Sequence, residues 1–143
     1  MSQVDLDTSL GYLLKQAATA LRSSMDSALR PLDLTVSQYS CLEVLSQRPG
    51  ISNSELARST FVTRQSMNVM LQGLQRDGLV SRPDLAPTGR VLPVQLTPLG
   101  RERLDAASST VAAVEQRMLS TLSPADQTRM RGLLREFIGA LGS

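Results

Sequence analysis

Histidine is absent from the 143 residues, tryptophan is absent, cysteine occurs once, and the only rings are Tyr12, Tyr39, Phe61 and Phe137. Without imidazole there is no histidine-based catalysis, and Cys41 alone can form neither a Cys/His zinc cluster nor an internal disulfide. No metal or cofactor is expected. A core with so few rings must be built from Leu, Val, Met and Ala, which favours helices over a β-sandwich. No run approaches the roughly 18 apolar residues that cross a membrane, and the N-terminus MSQVDLDTSL has acids where a signal peptide would be basic and then apolar. A soluble cytoplasmic protein with no membrane partner is expected. Enzymatic activity is not: there is no nucleophile motif and no glycine-rich phosphate loop, since Gly73 and Gly78 fall at the middle and end of one helix.

What is present is unevenly placed. The net charge is only +2, yet residues 1–47 carry −2, residues 104–143 are neutral, and residues 48–103 set eight arginines against Glu55, Asp77, Asp84 and Glu102 for +4. The middle is the part that suits an anionic polymer. The single lysine, Lys15, against fourteen arginines is given no functional weight.

Spacing of apolar residues and turn chemistry divide the chain into elements. Leu10, Leu14, Ala17, Leu21 and Ala28, with Leu13 and Met25 beside them, recur at helical spacing, and the helix should end at Arg30-Pro31 because a residue before proline is pushed out of the α region. Thr35 caps a second helix over Val36–Ser46 with Tyr39, Leu42 and Leu45 inward. Ser52 to Glu55 is a capping box, the serine hydroxyl taking the Glu55 N–H and the carboxylate reaching back to Ser52, and it opens a short helix to Ser59 with Leu56 and Ala57 inward. Thr63 caps a fourth helix, which Gly78 ends. Leu79–Pro83 and Val91–Leu96 read as a two-stranded ribbon around a Pro/Gly turn, with Pro93 confining the second strand to an edge. Thr97-Pro98 opens a long helix to Leu122, and Ser123-Pro124 opens the last, whose stripe is Met130, Leu133, Leu134, Phe137, Ile138 and Leu141.

On a helical wheel Met67, Met70, Leu71 and Leu74 lie within about 60° of one direction, the buried face of the fourth helix. Gln65, Asn68, Val69, Gln72 and Arg76 lie opposite. Alone, such a face is ordinarily a solvated one. In context it follows a short capped helix and a tight apolar turn, which makes a helix-turn-helix, and the ribbon after it supplies a wing. Amides can pair bidentately with adenine, a serine hydroxyl can serve any base, and valine can touch a thymine methyl. Phosphates flank the groove while base edges lie at its floor, so Arg58, Arg64, Arg76, Arg82 and Arg90 can supply the charge around a neutral reading face.

The order of elements and particular residues resemble the MarR (multiple antibiotic resistance regulator) family over nearly the whole chain. The matching residues are Leu34-Thr35-Val36-Ser37-Gln38-Tyr39, then Ser54-Glu55-Leu56-Ala57, then Leu74 to Arg82, and finally Gly89-Arg90 with Val94 to Gly100. The resemblance implies a mainly α fold of four helices, a β-wing and two further helices: a winged helix-turn-helix over 34–98, with 1–33 and 99–143 forming a helical dimerisation region. It implies a homodimeric repressor on a pseudo-palindromic operator in double-stranded DNA. The expected DNA contacts are Ser37, Ser54, Thr63, Arg64, Gln65, Ser66, Asn68, Val69, Gln72, Arg76, Arg82 and Arg90. The wing departs from the family's Asp-x-Arg triplet, reading Thr88-Gly89-Arg90, and Asp84 is the candidate substitute for the missing aspartate.

The resemblance further implies release by a small aromatic acid or lipophilic effector bound between the dimer base and the winged domain. Tyr12, Arg22, Met25, Arg30, Tyr39 and Cys41 are the candidate lining, the arginines for a carboxylate, and the methionine and tyrosines for a ring. Relatives that sense oxidants carry their cysteine near the start of the first helix, where this chain has Leu10-Gly11-Tyr12, so Cys41 is expected to be a small buried apolar residue. The alternative to a regulator is a winged helix used as a protein-interaction or dimerisation module without sequence-specific DNA binding. That module would be marked by an acidic or apolar reading face, which this chain lacks.

Overall fold

The computed structural model describes residues 3–82 and 93–142. In chain order the helices are α1 (Leu10–Leu29), α2 (Val36–Gln47), α3 (Asn53–Ser59) and α4 (Arg64–Arg76), then strands β1 (Val80–Ser81) and β2 (Gln95–Leu96), then α5 (Pro98–Met118) and α6 (Pro124–Leu141). The strands pair antiparallel, Val80 opposite Leu96 and Ser81 opposite Gln95. Among the described residues no helix is long and apolar enough to cross a membrane.

Every α-helix starts on a hydroxyl cap: Ser9, Thr35, Ser52, Thr63, Thr97 and Ser123 each accept a backbone N–H from the first turn. The capping chemistry differs from expectation in one respect. The reciprocal box closes at Thr35, where the Gln38 side chain accepts the Thr35 N–H at 3.0 Å and Thr35 Oγ1 accepts the Gln38 N–H at 3.1 Å. At Ser52 the Glu55 carboxylate instead accepts the serine hydroxyl at 3.2 Å.

Three helix boundaries also move, and Leu79, Arg82, Pro93 and Val94, expected within the ribbon, fall outside its strands. Arg30 stays in the α region (φ −56°, ψ −44°), and Pro31 enters a 3-10 turn, Arg30–Leu32, that Asp33 closes at φ 60°. Aspartate tolerates that left-handed conformation better than most residues. The second helix gains one residue, to Gln47. The fifth stops at Met118, short of Leu122, because the Ser120 hydroxyl and N–H both turn back onto the Arg117 carbonyl and Pro124 follows.

The core lies inside the winged head. Leu42, Leu56, Met67 and Leu74 are almost wholly buried with Leu29 from α1 and Leu104 and Ala107 from α5, each large side chain contributing about 2 kcal/mol of burial. The first half of α5 is thus part of the head's core as well as the start of the terminal helices. Gly100 permits this: a Cβ there would run into the Leu79 carbonyl. Thr97 ties the ends of the wing together at the same place, donating its hydroxyl to the Gly78 carbonyl at 2.6 Å, accepting the Gly100 N–H at 2.9 Å, and donating its own N–H to Leu79 at 3.1 Å. Outside the head the pattern reverses. The first half of α1 is exposed, α6 has no buried residue, and Phe137, Ile138 and Leu141 stand in solvent although they form one stripe.

Candidate nucleic-acid interface

The turn from α3 to α4 is short because Phe61 takes φ 62° and lets the Val62 N–H return to the Ala57 carbonyl at 3.0 Å. Thr63 Oγ1 then accepts the Ser66 N–H at 3.0 Å and starts α4. Met67, Leu71 and Leu74 are buried and Met70 half-buried, as the wheel requires. The opposite face presents Gln65, Ser66, Asn68, Val69 and Gln72 to solvent, Val69 at 65 % exposure. Asn68 is steadied by Asn53, whose amide donates to its Oδ1 at 3.4 Å. Sequence reasoning missed Asn53 because the contact crosses from α3 to α4.

Beside this face runs an open groove of about 620 Å³. Thr35, Ser37 and Gln38 at the start of α2 form one wall, Gln65, Ser66 and Val69 of α4 the other, and among the described residues no carboxylate lines it. Arg64, Arg76 and Arg82 are exposed around the helix, and Arg76 lies back over Gly73, where a Cβ would sit 3.5 Å from its guanidinium. Ser54 is half-buried on α3. Arg90, with Asp84, Thr88 and Gly89 of the wing, falls outside the described residues. Eleven of the twelve expected DNA contacts therefore lie within the described residues, and Gln65, Ser66 and Val69 of α4 share the groove with Ser37.

The six effector candidates are not brought together. Tyr12 is on the exposed half of α1, Met25 packs on the core, and Arg22 donates to Ser37 Oγ at 3.4 Å. Tyr39 turns its hydroxyl to Glu43 Oε2 at 2.9 Å. Cys41 is fully buried with its sulfur 3.9 Å from that of Met67, and burial pushes its thiol up to about 12. Only Arg30 of the six reaches the hollow of about 610 Å³ at the start of α2, and it shares that hollow with Asp26, Asp33 and Asp77. A smaller, apolar hollow of about 260 Å³ lies between α1 and α5, walled by Ala17, Ala20, Leu21, Val114 and Met118 with Arg117 at its edge. Among the described residues no acid or cysteine cluster of three or more is arranged to hold a metal ion.

Comparison with known proteins finds the same fold. The model of the MarR family matches residues 32–90, from the turn before α2 into the wing. The HTH-type transcriptional repressor Rv2887 of Mycobacterium tuberculosis is 41% identical over 130 residues, 91% of this chain and 94% of that protein. The chain belongs to the MarR family. The crystal structure of the Mycobacterium tuberculosis MarR family protein Rv2887 with salicylic acid superposes with a TM-score of 0.77 at 40% identity, over 92% of this chain and 97% of that one. Its complex with DNA gives 0.74 at 37% identity, over 92% and 98%.

One feature of this MarR-family chain had no signal in its sequence. Glu43 of α2 accepts from Gln47 Nε2 at 2.7 Å, from Ser108 Oγ of α5 at 2.8 Å and from Tyr39. Arg101 of α5 donates to Ser46 Oγ nearby at 2.6 Å. Burial pushes the Glu43 carboxyl up, but the hydrogen bonds from Gln47, Ser108 and Tyr39, with the charge of Arg101, outweigh it and hold the group below the usual carboxylate range. Burial first, and then the bond to Glu43, push Tyr39 up to about 12. A polar seam thus joins the head to α5, formed by residues 65 apart in sequence.

Proposed function

We propose that the protein is a cytoplasmic, homodimeric transcriptional repressor that binds a pseudo-palindromic operator and is released by a small aromatic acid. The observation that carries the reading is the α4 face: Gln65, Ser66, Asn68, Val69 and Gln72 exposed together on a capped helix whose arginines, Arg64 and Arg76, stand at its two ends. Such a helix enters a major groove N-terminus first, reads with amides and hydroxyls, and leaves phosphate contact to its surroundings. Thr63, Arg64, Arg76, Arg82 and Arg90, with Ser37 and Ser54, are the assigned backbone contacts. Residues 34–98 form the reading head, with Leu29 of α1 and Leu104 and Ala107 of α5 completing its core, and the remainder of 1–33 and 99–143 forms the dimer base. The names of Rv2887 and of its DNA and salicylic acid complexes support this reading. No catalytic role is assigned to any residue.

For the effector, the hollow between α1 and α5 is the better site. It offers apolar walls and one guanidinium, the two features an aromatic carboxylate needs, whereas the hollow at Arg30 sets three carboxylates against an anion.

The test is a gel shift on DNA upstream of the protein's own gene across a salt series. Selective binding that weakens steeply with salt is expected; binding without preference, or none at low salt, sinks the regulator reading. Gln65→Ala and Asn68→Ala should each cost about 1–3 kcal/mol at particular base pairs, while Arg82→Ala weakens all sequences alike. Salicylic acid added to the same complexes should release wild type at a lower concentration than Arg117→Ala.

A further inference from the structure

We infer that Arg22 is a DNA-backbone contact, carried by α1 to the edge of the reading groove. The inference rests on the operator-binding reading and extends it from the head to the helix that forms the dimer base. Two hydrogen bonds join α1 to the first turn of α2: Asp26 Oδ1 accepts the Val36 N–H at 3.2 Å, and Arg22 donates to Ser37 Oγ at 3.4 Å. Four residues apart, Arg22 and Asp26 project from one face of α1. Asp26 anchors α2, and Arg22 lies beside the next residue of α2.

Ser37 decides which side Arg22 serves. Two hollows flank the start of α2, and Thr35 and Gln38 line both. One collects Asp26, Asp33 and Asp77 and repels a phosphate. The other faces α4, includes Ser37 and, among the described residues, has no carboxylate in its lining. Arg22 is bonded to the residue that belongs to the second hollow alone. A guanidinium has five N–H donors; Ser37 engages one, and the side chain is exposed. A phosphate seated between α2 and the reading face of α4 meets the Ser37 hydroxyl and the Arg22 cation together. Arg22 is in the walls of none of the three hollows; its hydrogen bond to Ser37 is what places its guanidinium beside the groove of α4 and not in either candidate effector hollow.

The salt dependence of binding separates the two roles. Each phosphate that the protein ceases to neutralise lowers the slope of log K against log[salt] by about 0.9, so Arg22→Gln, present twice in a dimer, should lower it by about 1.8, equally on operator and unrelated duplex. Arg22→Lys keeps the cation and should keep the slope, so any effect on folding common to both variants drops out of the comparison. An unchanged slope in Arg22→Gln overturns the inference. If that variant instead shifts only the concentration of salicylic acid that releases DNA, Arg22 belongs to the effector site and the inference is equally overturned. The slope is measurable on any duplex, so a failure of wild type to select its own upstream DNA would sink the regulator reading without obscuring the role of Arg22.

Discussion

Phe61 is 93 % exposed at φ 62°, a conformation that costs a residue with a Cβ about 1–2 kcal/mol and here buries no ring in return. Phe61→Gly should raise the unfolding free energy by up to about 1 kcal/mol after the extra freedom of glycine in the unfolded chain is deducted, as read by urea denaturation. Gly100 behaves in the opposite way. Gly100→Ala drives a methyl into the Leu79 carbonyl and should lower stability by about 2–3 kcal/mol. Cys41, buried with its thiol raised to about 12, should resist thiol reagents in the folded protein and react at once in urea.

At the scale of elements, the seam between α2 and α5 gives the fold two pH limits. Folding holds Glu43 below its ordinary range, so its contribution is full above the unfolded pKa and lost as pH falls through the folded one. Tyr39 is raised from 10.0 to about 12, so its contribution is full below pH 10.0 and lost as pH rises through about 12. Glu43→Gln should flatten the acid limb of stability against pH in denaturant titrations. The helices themselves are legible in the sequence, because caps and apolar spacing are local: Thr63, Gly78 and the Met67–Leu74 stripe all lie where pattern places them. The Glu43 seam and the Gly100 contact are not legible there, since each depends on a partner far along the chain. The effector candidates fail to gather for a similar reason. Tyr39, Arg22 and Cys41 are directed by Glu43, Ser37 and Met67, which no spacing rule connects to them.

At the scale of the whole molecule, the exposed stripe of α6 and the exposed half of α1 are the surface that the proposed homodimer would bury. Phe137→Asp should convert dimer to monomer by light scattering while the head keeps its fold, because α6 has no buried residue within its own chain. Operator affinity should then fall roughly a hundredfold or more, since each half-site must be held without the effective concentration that a linked head provides.

Thr97 has an evolutionary consequence. Its three hydrogen bonds fasten the exit of β2 to the end of α4, so the ribbon leaves and re-enters the head through one fixed gate. Lengthening a closed loop costs only about 0.6 kcal/mol per doubling, and neither end of this one need shift to accommodate the change. The wing is therefore an exchangeable part: descendants of this protein can vary what they insert beside the operator while the recognition helix keeps its register.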